Sequence, residues 1–311
     1  MTVVYPLSEA MQAFVAEHHP FALANPSPAA QRLAYARLCS ALNPPRPPGL
    51  EVVDLSLAGV AVRRYLPAEP MPTAGWPALL YLHGGGWTLG NLDSHDFFCA
   101  HLAARLGVMV LAADYRLAPE HPFPAALEDC LSVWQALRTD RLGVPLNPLA
   151  LAVAGDSAGG NLAAALCLAL RRGARPQPCA QALIYPALSP VPLPSHQQHA
   201  DAPLLSRADL QGCLEAYLPD PLMRAEPLAL PLAADDLHGL PPAFVAVAEF
   251  DPLSDDGRLY AERLTAAGGT VLFDPGAGLV HGCLRGLGRV AEVDALVERL
   301  CGWLARLLRR D

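Results

Sequence analysis

The chain has 311 residues, 52% apolar and 17% charged, enough for one large α/β domain or two medium ones, and no stretch resembles a disordered tail. Its formal net charge of −8 argues against nucleic acid or an anionic membrane surface as the main partner. All 22 basic residues are arginine, which excludes Schiff-base and Walker-type lysine chemistry.

The N-terminal MTVVYPLSEAMQAF has no basic stretch ahead of an apolar run, so no secretory signal is expected. Residues 1–48 hold helix-like stretches at 8–17 and 28–41 and end in the proline-rich Asn43-Pro-Pro-Arg-Pro-Pro, the composition of a segment appended to the main domain. From residue 49 the pattern turns to short β-rich runs, with strands predicted at 51–57, 60–66, 78–83, 108–114, 149–155, 181–185, 243–248 and 270–273. Helices between most of the later strands indicate a largely parallel sheet covered on both faces. Apolar runs such as 149–154 are too short to cross a bilayer, so no stable membrane anchoring is expected.

After the strand at 78–82 comes His83-Gly84-Gly85-Gly86-Trp87. Consecutive glycines leave backbone N–H groups unshielded, and those of Gly84 and Gly85, with that of Ala158, are candidates for an oxyanion hole. A phosphate cradle is the rival reading. It lacks the GxGxxG spacing, a lysine and a helix start directly after the loop. The segment 114–125 places Arg116 and Glu120 where a structural ion pair supporting the site is expected.

The strongest motif is Gly155-Asp156-Ser157-Ala158-Gly159, a GxSxG sequence between an apolar strand and the Ala- and Leu-rich helix at 158–172. A serine on so sharp a turn takes a strained conformation, and glycines two residues away let strand and helix approach. The helix N-terminus adds free N–H groups beside the serine oxygen. Asp156 is expected to fix this turn by hydrogen bonds.

Residues 188–230 are proline-rich and irregular, more often the sign of a lid or cap than of a plain connection. Within them His196 and His199 have the i, i+3 spacing of a metal pair, but without nearby carboxylate spacing they read as solvated. Leu204 and Leu205, with Trp87 and Tyr185, are pocket candidates, although either aromatic could equally belong to the core. Asp251 follows the strand at 243–248 and His281 follows the last strand, giving the chain order Ser…Asp…His with each residue just after a strand. Asp255 and Asp256 are rival acids whose position favours a helix-start role. At the C-terminus Val290, Val293, Val297, Leu300, Leu304 and Leu307 form one apolar helical stripe. The eight cysteines are scattered without a CxxC pair, which reads as reduced, mostly buried thiols, and places the chain in the cytoplasm with no disulfide framework or zinc site.

The combination of His83–Trp87, 114–125, 155–160 and Asp251-Pro252-Leu253 with Asp255 and Gly257 resembles the hormone-sensitive-lipase family of α/β-hydrolases, the bacterial family IV esterases. The resemblance implies an α/β-hydrolase fold, with a mostly parallel sheet of about eight strands and a helical cap. Core residues would be 49–187 and 231–311, and the cap 1–48 and 188–230. It implies Ser157, Asp251 and His281 as catalytic triad, Gly84, Gly85 and Ala158 as oxyanion hole, and hydrolysis of small short- to medium-chain acyl esters without cofactor or metal. Such proteins commonly carry an aromatic residue after His-Gly; here it is Cys283, expected to alter packing or pocket width near His281. By analogy alone, a homodimer would form through an edge strand such as 270–273. The alternative from another class is a non-catalytic ligand-binding protein on the same scaffold, but such receptors lose the histidine that His281 supplies here.

Overall fold

The computed structural model describes residues 4–23, 27–139 and 142–309; the first three residues of the N-terminal stretch read above lie outside it. Two helices open the chain, α1 (Glu9–His18) and α2 (Pro28–Leu42), each preceded by a serine whose side chain accepts the backbone N–H of the residue three further on. Strands β1 (Leu50–Leu57) and β2 (Val60–Pro67) follow as an antiparallel pair around the turn at Ala58-Gly59. The chain then alternates through β3 (Trp76–Leu82), α3 (Asp96–Leu106), β4 (Met109–Asp114), α4 (Ala125–Leu137), β5 (Leu146–Asp156), α5 (Ala158–Arg172) and β6 (Gln181–Ile184). Two helices, α6 (Pro194–Gln198) and α7 (Arg207–Tyr217), interrupt the alternation before β7 (Ala243–Ala246), α8 (Ser254–Ala266), β8 (Val271–Asp274) and α9 (Ala291–Leu308).

The sheet order is β1-β2-β4-β3-β5-β6-β7-β8, parallel from β4 to β8 and antiparallel at β1–β2 and β2–β4. The expected α/β-hydrolase fold of eight strands is what forms. Strand β3 is buried along its whole length because helices cover both faces of the sheet. Ala78, Leu80 and Leu82 join the layer that includes α4, α5 and α8, while Leu79 and Tyr81 join the layer that includes α3 and α9. Within α5, Leu162, Leu166 and Leu170 are sealed against the sheet. Truncating any one of them to alanine would cost about 2–5 kcal/mol.

The C-terminal stripe is as expected down to Leu304, after which Leu308 is the buried residue and Leu307 is half-buried. The 188–230 segment is less irregular than its prolines suggest. Helix α7 starts at a capping box in which Ser206 and Asp209 satisfy each other's backbone N–H groups. Among the described residues no helix is long and apolar enough to cross a membrane.

Candidate active site

Two adjacent parallel strands set the floor of the site. Strands β3 and β5 pair with Leu82 opposite Gly155, so the glycine loop after β3 and the turn after β5 leave the sheet side by side. Ser157 sits on that turn at φ +55°, a left-handed conformation that a side chain adopts only when its surroundings impose it. The imposition is steric: a methyl group on Gly159 would overlap the carbonyl oxygen of Leu82. Strand, turn and helix therefore approach as closely as backbone atoms allow.

The acid and base come from the last two strands of the sheet, with β6 between them and β5. Beyond β7 and β8 a single parallel bridge joins Phe250 to Val280, and the next residue on each side is Asp251 and His281. Asp251 is wholly buried, with one carboxylate oxygen accepting the Leu253 N–H at 2.9 Å and the other 2.7 Å from His281 Nδ1. A carboxylate only accepts, so Nδ1 carries the proton and Nε2 is left as an acceptor. That Nε2 lies 2.9 Å from Ser157 Oγ. Ser157, His281 and Asp251 thus form one hydrogen-bonded line capable of drawing the hydroxyl proton away from the serine.

The glycine loop departs from expectation in one member. Gly84 donates its N–H to Asp156 Oδ1 at 3.0 Å and does not reach the cavity wall, so it is not free to face an oxyanion. Gly85 and Gly86 do line the cavity, and among the described residues no acceptor takes their N–H groups or that of Ala158 in the first turn of α5. Of the expected Gly84, Gly85 and Ala158, Gly84 therefore has its N–H occupied, and the N–H groups left without an acceptor beside the cavity are those of Gly85, Gly86 and Ala158. The cause is Asp156, whose carboxylate anchors the loop by its first glycine.

Asp156 does more than brace its own turn. It accepts from Tyr81 Oη at 2.7 Å and lies 3.2 Å from His95 Nε2, and it is buried. Burial alone would raise its pKa, but His95, Tyr81 and His83 outweigh that and hold the carboxyl down at about 2. His83 stacks on Tyr115 at 4.2 Å, and burial, followed by His95, pulls its imidazole down to about 4. A charged carboxylate beneath a neutral imidazole therefore supports the loop. The expected brace at Asp156 is present and extends to residues the motif does not contain.

Above this floor lies a cavity of about 900 Å³, within the range of small-molecule sites. Its walls include Val15, His18, Tyr35 and Leu38 from α1 and α2, and Leu204, Leu205, Leu210 and Cys213 from the 188–230 segment. Trp87 lines it too, stacked face to face on Tyr217 at 4.3 Å. Tyr185 does not: its ring packs behind His281 at 4.7 Å and is buried. Cys283 is likewise buried away from the cavity, where burial raises its thiol pKa. Its neighbours Gly282 and Arg285 line the cavity instead.

Two further expectations are corrected. Arg116 and Glu120 do not pair with each other. Arg116 grips Asp129 with both Nε and Nη2, held in place by its own N–H on the same carboxylate, while Glu120 takes Arg32 of α2. His196 and His199 are not solvated. Both are buried, and His196 Nε2 lies 2.8 Å from Asp256, whose other oxygen accepts the N–H groups of Leu188 and Ser189. Asp255 and Asp256 do occupy the first turn of α8, as expected, and there they anchor the start of the 188–230 segment through Ser195, Leu188 and Ser189. Arg285 and His95 were not singled out from sequence; the signal for Arg285 is a lone charge in the otherwise apolar and glycine-rich stretch 279–288.

Most of the chain is similar to known proteins. A family model described as the alpha/beta hydrolase fold matches residues 79–285. Carboxylesterase NlhH of Mycobacterium tuberculosis is 42% identical over 235 residues, 73% of this chain and 72% of the relative. Ethyl acetate hydrolase of Pseudomonas putida is 38% identical over 251 residues, 78% of this chain and 79% of its own. Among solved structures, a thermostable esterase from Pseudomonas putida superposes with a TM-score of 0.92 at 28% identity, covering 99% of this chain and all of that one.

Proposed function

The chain belongs to the α/β-hydrolase family and is a carboxylic ester hydrolase, and from that premise we propose a two-step acyl transfer centred on Ser157. His281 Nε2 takes the Ser157 proton as Oγ attacks the ester carbonyl carbon. Negative charge gathers on the former carbonyl oxygen and is held by the N–H groups of Gly85, Gly86 and Ala158, which have no other acceptors. The imidazolium returns its proton to the departing alcohol, and Asp251 stabilises it meanwhile. Water then repeats the route on the acyl-enzyme, giving the free acid and restoring Ser157. The observation that carries this reading is the 2.9 Å and 2.7 Å alignment of Ser157, His281 and Asp251.

Short- to medium-chain acyl esters are the proposed substrates. The enclosing walls from α1, α2 and 188–230, and the ethyl acetate hydrolase among the relatives, support that size. On the same grounds residues 1–48 and 188–230 are the cap over the core. The edge strand β8 exposes Leu272 and Phe273, which supports a homodimer through that edge, and the scattered buried thiols support a cytoplasmic setting. The test of the chemistry is Ser157→Ala assayed on p-nitrophenyl butyrate: kcat should fall by about 10⁶-fold. Turnover within tenfold of the parent would remove Ser157 from the reaction.

A further inference from the structure

Arg285 is only 6% exposed and lines the cavity four residues after His281. A buried guanidinium ordinarily has a carboxylate partner, because removing its charge from water is costly and arginine stays protonated. Here every partner is neutral. Nε donates to Asn43 Oδ1 at 3.0 Å, and Nη2 donates to Tyr35 Oη at 2.8 Å, Cys39 Sγ at 3.2 Å and the Ser94 carbonyl at 3.3 Å. The Tyr35 ring lies 5.1 Å under the guanidinium carbon. Nη1 has no acceptor among the described residues, yet it is not one of the buried polar atoms sealed without a partner, so it remains reachable.

The carboxylates on the cavity wall do not supply the missing charge. They are Asp156, Asp201 and Asp209, and none is within ion-pair distance of Arg285. Asp156 is committed to Tyr81, Gly84 and His95, and Asp209 to Ser206. Asp201 and Asp209 are exposed and belong to the 188–230 segment, whereas Arg285 is held by α2 residues and by Asn43 and Ser94. His18, from α1, lines the cavity as well. Burial lowers the pKa of His18, so the charge on this side of the cavity is that of Arg285, a fixed fork with a free nitrogen and no counter-ion.

We propose that Arg285 is a specificity residue that receives a second, free carboxylate of the ester substrate. This rests on the esterase reading above and narrows it from small esters to esters that bear an anion. Nε and Nη2 hold the fork in place through α2, and Nη1 meets a carboxylate oxygen in a charge-assisted hydrogen bond. The anion completes a partnership that the fold leaves open. The carboxylate belongs either to the acyl part, as in a half-ester of a dicarboxylic acid, or to the alcohol part.

Two matched pairs distinguish these sources. Monoethyl succinate against ethyl 4-methylpentanoate places the carboxylate in the acyl part, and 4-acetoxybenzoate against 4-carbamoylphenyl acetate places it in the leaving group. The expected result is a kcat/KM at least tenfold higher for the anionic member in one pair, with Arg285→Gln bringing that ratio to one or below. Reading a ratio cancels any general loss of folded protein. If Arg285→Gln does not fold, Arg285→Lys keeps a cation but loses the fork, and the ratio should fall part-way. Preference for the neutral member in both pairs, or a ratio that neither variant moves, overturns the assignment. Turnover of neutral esters without an anionic preference sinks Arg285 alone, whereas no turnover of any of the four sinks the esterase reading and this inference with it.

Discussion

The floor of the cavity is held by steric exclusion and the opposite walls by side-chain ties. On the floor, Gly85, Gly86, Trp87 and Ser157 all have positive φ within two loops, and a methyl on Gly86 would run into Cys213 Sγ. At Trp87 and Ser157, which carry side chains, that conformation costs energy, and a closely packed surround sustains it. On the walls, the buried residues of α2 are Leu38 and Cys39 and those of α7 are Leu210 and Tyr217, so the helices rest lightly. What holds α2 is Arg32 on Glu120, Thr88 and Ala118, together with Arg285. Ser157 is thus placed where the backbone has no freedom, whereas a few polar contacts hold the wall.

The contrast can be broken most sharply at the acid. Asp251→Asn keeps the shape of the floor but removes the charge that orients His281, and kcat should fall by about 10⁴-fold with little change in KM. A loss under tenfold would mean that another carboxylate serves. Next is Gly86→Ala, where the methyl meets both the Cys213 thiol and a left-handed φ of +57°. Withdrawing one donor predicts a kcat reduction of about 10²–10³-fold. Equal activity would return the oxyanion role to Gly84.

Acid should undo the floor through His83. Burial, then His95, depresses its folded pKa to about 4, against about 6.5 in an unfolded chain. The neutral form is favoured by folding, so its contribution is whole above pH 6.5 and is lost as pH falls toward 4, about 3 kcal/mol in all. Asp156, held at about 2, adds a loss only below pH 4. Urea unfolding at pH 7, 5.5 and 4 measures this, and His83→Gln should flatten the profile over the first window. A decline of unchanged size in that variant would place the sensitivity elsewhere. The smallest effect is expected on the wall: Gly212→Ala in α7 meets open space at an ordinary helical φ and should stabilise by about 0.5–1 kcal/mol, read as a modest rise in Tm. Destabilisation there would show that α7 is packed more tightly than its exposure indicates.

The floor was the more legible half because its constraints are local. Glycines beside a serine, between an apolar strand and an Ala-rich helix, announce a turn with little freedom, and the residues after successive parallel strands share one edge of the sheet. The missing piece was which glycine Asp156 would hold, since that depends on Tyr81 and His95 meeting it from other elements. The walls were read less well. Proline masked the capping box at Ser206 and Asp209, and the partners of Arg116, Glu120 and His196 lie far along the chain or across elements, where spacing carries no information. Arg285 belongs to the same class, because its meaning lies in the absence of a carboxylate around it and no local pattern reports that.

The most direct test of the central claim is where a fluorophosphonate reacts. The account predicts a single adduct on the peptide containing Ser157, complete loss of p-nitrophenyl butyrate hydrolysis in step with labelling, and no adduct on Ser157→Ala. An adduct on another residue, or hydrolysis persisting in fully labelled protein, would contradict it.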